Sequence, residues 1–222
     1  ADRTDGQGIA DLGSWSPVVR ERSAMELARR EGDPTPQLIA MLDTADLYAR
    51  LGACQAMIML KDRAAPAVPA LQRTLRADDL WLRIKAAEAL ASIGSKAMPV
   101  LPDLLMMVSN FDVKSDPRRM QQRYLCFALF NQRDGMLGRS LDGVDQRLLY
   151  AAVKAGLQNE DGRARGSIGS VYRNLSYEGV EPLLPAIYQA VIEPAPSGIM
   201  FADGIRLSGL EILSQHRIEE GL

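Results

Sequence analysis

The chain has 222 residues, 47% of them apolar but only 5% aromatic, with 28 acidic and 26 basic side chains and a net charge of −2. That length holds one large domain or a repeat array with a continuous core. The charge balance speaks against nucleic acid as a partner, which needs a basic excess. No apolar run reaches the ~18 residues of a membrane span.

Alanine, leucine, methionine and arginine are abundant and β-branched residues sparse, a mix that favours helices. Residues 1–15, which include "ADRTDGQGIADLG", are polar and lack a signal-peptide core, so they are expected as an irregular N-terminal segment. No initiator methionine is present, and the sequence reads as a processed form or a module of a larger protein. It is soluble in character and carries no targeting segment. Both a cytoplasmic location and export after signal removal stay open.

A helix is expected over 16–30, and then five pairs follow. Each pair has a shorter A helix and a longer B helix: 34–43 with 46–60, 64–76 with 79–93, 97–109 with 117–132, 145–158 with 161–175, and 180–192 with 203–216. Pro36, Pro69 and Pro102 open gap-free copies 33 residues apart, and a later copy opens at Pro185. A second proline stands three residues earlier in three cases, at Pro66, Pro99 and Pro182. The first N–H groups of a helix have no intrahelical acceptor, so proline costs nothing there and marks a start.

B helices open on an aspartate with an arginine four residues later: Asp46 with Arg50, Asp79 with Arg83, Asp161 with Arg165. The carboxylate caps the helix, and the arginine is expected to reach back to it or to the aspartate of the neighbouring repeat. In the first copy Ser16 replaces the aspartate, followed by Pro17. Three residues beyond each arginine stands a small residue (Ser23, Ala53, Ala86, Cys126, Gly209). Seven beyond stands a large apolar one (Leu27, Met57, Leu90, Phe130, Leu213). The copy after Arg165 departs, with Ile168 and Tyr172. Small-then-large spacing keeps one stripe inward and lets neighbouring helices approach closely. Cys54 and Cys126 fall inside such stretches and read as small buried residues. Trp81, with Tyr48 in the equivalent place, is expected to pack between repeats.

This Asp turn followed by Arg-x-x-Ala-x-x-x-Leu, alternating with a shorter proline-started helix, resembles HEAT repeats, in particular the compact HEAT-like repeats of bacterial proteins, including those of phycobiliprotein-lyase type. The resemblance covers residues 16–109 well and 117–216 more loosely. It implies an all-α fold, a right-handed α-α superhelix of about five helix pairs plus a half repeat, forming a single domain over 16–222. Neither end shows an obvious polar cap, so either the chain belongs to a larger array or residues 1–15, with Trp15, fold over the first helix.

Repeat folds of this kind serve many roles, so function has to come from side chains. One histidine, His216, and two distant cysteines cannot build a four-ligand zinc site, and no cofactor motif is present. "GSIGSVYRNLS" at 166–176 falls where a B helix belongs, as does the glycosylation sequon at Asn174. The favoured reading is a non-catalytic scaffold that takes a protein or peptide on its concave B-helix face, with other domains of the same full-length chain as further partners. The register places Arg22, Met25 and Arg29 on that face, then Gly52, Gln55 and Met59, then Lys85, Glu88 and Ser92. From the later copies come Ser170, Asn174 and Glu211. A basic patch would arise if Arg118, Arg119, Arg123, Arg163 and Arg165 converged, and it would suit an acidic peptide or a phosphate. Loops 109–117, 131–145 and 192–204 exceed the repeat minimum and are places for function. They carry the apolar residues Met136, Leu137, Ile199, Met200 and Phe201. Two other readings come from resemblance: a HEAT-like DNA glycosylase, which would need a basic groove with Trp and Asp at its base, and a lyase or chaperone-like factor for a chromophore protein.

Overall fold

The computed structural model describes residues 5–131, 133–159, 161–172, 174–192 and 202–216, and these contain helices and loops but no strand. The chain divides into two compact units, Ala1–Leu101 and Pro102–Leu222, where the sequence reading has one domain over 16–222.

The first unit stacks three helix pairs: α1 (Asp5–Asp11) with α2 (Pro17–Arg29), α3 (Thr35–Leu42) with α4 (Leu47–Leu60), and α5 (Val68–Thr74) with α6 (Leu80–Ile93). The B helices α2, α4 and α6 pack side by side in that order. In the second unit α7 (Leu101–Ser109) precedes α8 (Met120–Phe130). Next come α9 (Gln146–Leu157), α10 (Gly162–Tyr172), the single turn α11 (Tyr177–Val180), α12 (Leu184–Ile192) and α13 (Ala202–Gln215). Here α8, α10 and α13 form the row of B helices.

The boundaries follow from local chemistry. Asp46 Oδ1 accepts the Tyr48 N–H at 2.8 Å, and Asp79 Oδ1 accepts the Leu82 N–H at 2.8 Å, so both aspartates cap their helices as expected. In the second unit Asp116 does this from the preceding turn. Its two oxygens accept the N–H groups of Met120 and Gln121 at 2.7 and 2.9 Å. The paired prolines act in two stages. Pro66, Pro99 and Pro182 lie in 3₁₀ turns (Lys61–Ala67, Gly94–Val100 and Glu181–Leu183) that run straight into the α-helices.

Two of the repeat arginines reach back to the backbone of the turn before their helix. Arg83 Nη1 donates to the carbonyls of Ala77 and Asp78 at 2.9 and 2.8 Å. Arg20 Nη1 likewise donates to Ser14 and Trp15 at 2.6 and 3.0 Å. Both tie down the two residues before the helix cap, whose carbonyls the turn leaves without a backbone partner. The expected contact with a neighbour's aspartate occurs in the second unit, where Arg123 Nη1 lies 3.0 Å from Asp161 Oδ2.

Residues 5–11 are helical rather than irregular, and α1 is the A helix of a complete first pair, so this unit does not begin on half a repeat. Leu12, Leu42 and Leu75 are all buried, and each stands four residues before a B-helix cap. Trp15, in contrast, is 77% exposed, so the packing of this segment comes from Leu12. The loop at 131–145 also turns inward in part: Leu137 is buried and Met136 half-buried. Ile199, Met200 and Phe201 lie outside the described residues.

Candidate functional site

The residues expected on a partner face fall into several situations. Arg22, Met25 and Arg29 are exposed on α2, and Gln55 and Met59 are half-buried on α4. On α6, Lys85 and Glu88 are joined by a 2.6 Å ion pair, and the Ser92 hydroxyl donates to the Glu88 carbonyl at 2.8 Å. Gly52 does not face a partner. A side chain there would meet the Leu12 carbonyl oxygen at 2.0 Å, so the chain after α1 lies directly on this glycine. Glu211 is exposed on α13. Asn174 stands exposed in the turn after α10 rather than inside a helix. Ser170 lies on α10, with its side chain outside the described set.

The five arginines of the basic patch are mostly engaged. Arg123 pairs with Asp161. Arg165 is buried. Arg119 lies over the Phe111 ring at 3.9 Å and donates to the Gln158 carbonyl at 3.2 Å. Arg118 and Arg163 are the exposed members. Arg119 has φ 49°, and its carbonyl accepts from Asn159, whose amide also bonds the buried Gln122 at 2.7 Å. This arrangement holds α8 in place, and Arg118 and Arg119 line a surface cavity of about 510 Å³ that also holds Asp116 and Asp161.

The groove lies in the first unit. It has a volume of about 590 Å³ and crosses α2, α4 and α6. Pro17, Arg20 and Glu21 come from α2. Leu47, Tyr48, Leu51 and Gln55 come from α4. Asp79, Trp81 and Lys85 come from the cap and first half of α6. Tyr48 is 46% and Trp81 44% exposed, contrary to the expectation that they pack between repeats. Val18, 58% exposed, holds the same place on α2. All three stand two residues beyond a helix cap, so one apolar side chain per helix forms a row across three adjacent helices. Gln55 and Lys85 are the two expected partner residues that line this groove. The aromatic row was legible as a repeated position. What periodicity could not show is that the second residue of each B helix stays in solvent.

The Arg20 guanidinium lies 5.4 Å from the centre of the Tyr48 ring while it holds the turn. Cys54, behind the groove on α4, is fully buried, and burial pushes its thiol up to about 12. It is no nucleophile at neutral pH. Among the described residues no three His, Cys, Asp or Glu side chains cluster to hold a metal ion, and no helix is long and apolar enough to cross a membrane.

Three rows of paired helices with capped starts and a shared face define an α-helical repeat scaffold. Residues 35–116 match the family model of HEAT repeats. An engineered protein solved by a structural genomics consortium is 14% identical, with a TM-score of 0.61 over 96% of this chain and 100% of its own. A designed armadillo repeat protein is also 14% identical, with a TM-score of 0.55 over 95% of this chain and all of its own. At that identity they are similar in fold alone. The chain therefore has an α-helical repeat fold, in which residues 35–116 are similar to HEAT repeats. Comparison with curated proteins finds no match.

Proposed function

We propose that this protein is a non-catalytic scaffold that binds a peptide or protein segment across α2, α4 and α6. The observation that carries the reading is the half-exposed pair Tyr48 and Trp81 in one groove, with Val18 exposed at the equivalent place on α2. Tyrosine and tryptophan are the side chains that most often dominate a protein interface, because they bury a large rigid area at low entropic cost. Half-exposed, in one row and beside the free amide of Gln55, they suit an extended segment better than a small molecule. A DNA-processing role would need uncommitted cations around Trp81 and Asp79. Arg20 is instead spent on two turn carbonyls and Lys85 on Glu88.

Selection from a random peptide library displayed on phage tests the reading. Enriched peptides are expected to lose at least about tenfold in affinity for the Tyr48→Ala/Trp81→Ala double variant, as hot-spot aromatics do. Unchanged helicity by circular dichroism would exclude unfolding as the cause. Peptides that bind the double variant as tightly as the parent would sink the proposal.

A further inference from the structure

We infer that the second unit binds a small, neutral, hydroxyl-rich molecule, a monosaccharide or cyclic polyol, in a cavity that the long loop before α9 helps to build. The cavity has a volume of about 380 Å³, at the lower end of the ~300–1,000 Å³ of small-molecule sites. Every lining residue belongs to the second unit, so the site is separate from the groove on α2, α4 and α6. Arg139 and Asp142 come from the loop, Gln146 and Tyr150 from the first two turns of α9, and Asn174 and Ser176 from the turn between α10 and α11. Local chemistry sets these positions. Asp145 caps α9 by accepting the Leu148 N–H at 3.1 Å, and Gln146 and Tyr150, four residues apart, share one side of that helix. Ser176 caps α11 by accepting the Gly179 N–H at 3.3 Å. A Cβ on Gly179 would lie 2.9 Å from the Tyr150 phenol oxygen, so the glycine lets the phenol approach the backbone here.

The class of ligand follows from the charge of the lining and from the groups it leaves uncommitted. The lining holds one cation, Arg139, and one carboxylate, Asp142, so its charges cancel and favour neither an anion nor a cation. Polar side chains outnumber apolar ones in it, which disfavours an apolar ligand because their hydrogen bonds to water would be lost without replacement. The side chains of Gln146, Tyr150 and Asn174 make no hydrogen bond among the described residues. They offer two carboxamides, each both donor and acceptor, and one phenol. A sugar or polyol carries neighbouring hydroxyls that also both donate and accept, so a carboxamide can satisfy two of them at once. Tyr150 is half-buried, and its ring adds the apolar surface that the C–H groups of a sugar ring need. Gln146 and Asn174 are exposed, so no fold contact competes with a ligand for their amides.

Saturation-transfer NMR on the full chain with glucose, galactose, mannose, N-acetylglucosamine and myo-inositol tests this. At least one of the five is expected to bind with a Kd of about 0.1–5 mM, the range open to a ligand of this size. Gln146→Ala and Asn174→Ala, both exposed positions, are each expected to weaken that binding about fivefold, the worth of one hydrogen bond, with helicity unchanged by circular dichroism. Glucosamine and glucuronate, the charged counterparts, should bind no more tightly than the neutral sugar. Binding of none of the five at ~20 mM, unchanged binding in both alanine variants, or a preference of about tenfold for either charged counterpart overturns the inference. Peptide binding on the first unit is read by the Tyr48→Ala/Trp81→Ala variant and not by these, so the two readings stand or fall separately.

Discussion

Lys61 and Gly94 occupy the same place in successive repeats, at the end of α4 and of α6, and both take positive φ, 55° and 72°. Glycine adopts that conformation without strain, whereas a lysine pays for its Cβ. Lys61→Gly is therefore expected to stabilise the protein by about 0.5–1 kcal/mol, after allowing for the extra freedom glycine gives the unfolded chain. Urea midpoints of the two proteins check it, and a lower midpoint would contradict the assignment. Burial acts on the two cysteines in a different way. Cys54 and Cys126 are pushed up from 9.0 to about 12 by desolvation. The folded state keeps these protons when the unfolded chain releases them. Their contribution to stability is thus complete below pH 9.0 and is lost progressively as pH rises toward about 12. Neither thiol should react with a disulfide reagent near pH 8 until denaturant is added, and rapid native labelling would show that the burial is wrong. Tyr172, buried in α10, is shifted upward for the same reason and adds to the alkaline loss.

At the level of elements, the informative case is α1, because its sequence reads poorly as helix. "DGQGIAD" has two glycines in seven residues and little apolar content, so propensity argues against it. Tertiary packing overrides that weakness: Gly8 lies against Leu27, and Leu12 lies on Gly52. One signal was present, the leucine four residues before a cap that Leu12 shares with Leu42 and Leu75. The longer helices were legible because capping aspartates and a 33-residue proline spacing state their own ends. The arginine four residues into each B helix was legible as structural, but its acceptor was not. Two turn carbonyls at Ala77 and Asp78 are a backbone feature that no side-chain pattern reports. Gly52→Ala tests the docking of α1. Its Cβ would fall 2.0 Å from a backbone oxygen that cannot yield cheaply, so a loss of about 1–3 kcal/mol is expected. Hydrogen exchange should rise in residues 5–12 before it rises in α4 or α6, and unchanged protection there would rule out the contact. Asp79→Ala should cost about 1 kcal/mol through the lost cap of α6, while Asp79→Asn should recover most of it, as thermal unfolding would report.

On the scale of the whole molecule, the division at Leu101 places every groove residue in one unit. The two rings and the Arg20 turn lock come from α2, α4 and α6, and α1 completes the first pair beside them. Repeat arrays draw their stability from contacts between adjacent elements, so a run of three complete pairs holds the determinants of its own core. A chain ending at Leu101 is therefore expected to remain helical and to unfold cooperatively. It should bind the library peptides within about twofold of the full chain, since sites without shared partners contribute independently. The complementary chain from Pro102 contains none of the lining residues and should bind none of those peptides. A folded first unit that no longer bound them would move the site away from this groove, and binding by the second unit would do the same. A first unit that did not fold would show that the three pairs are not self-sufficient.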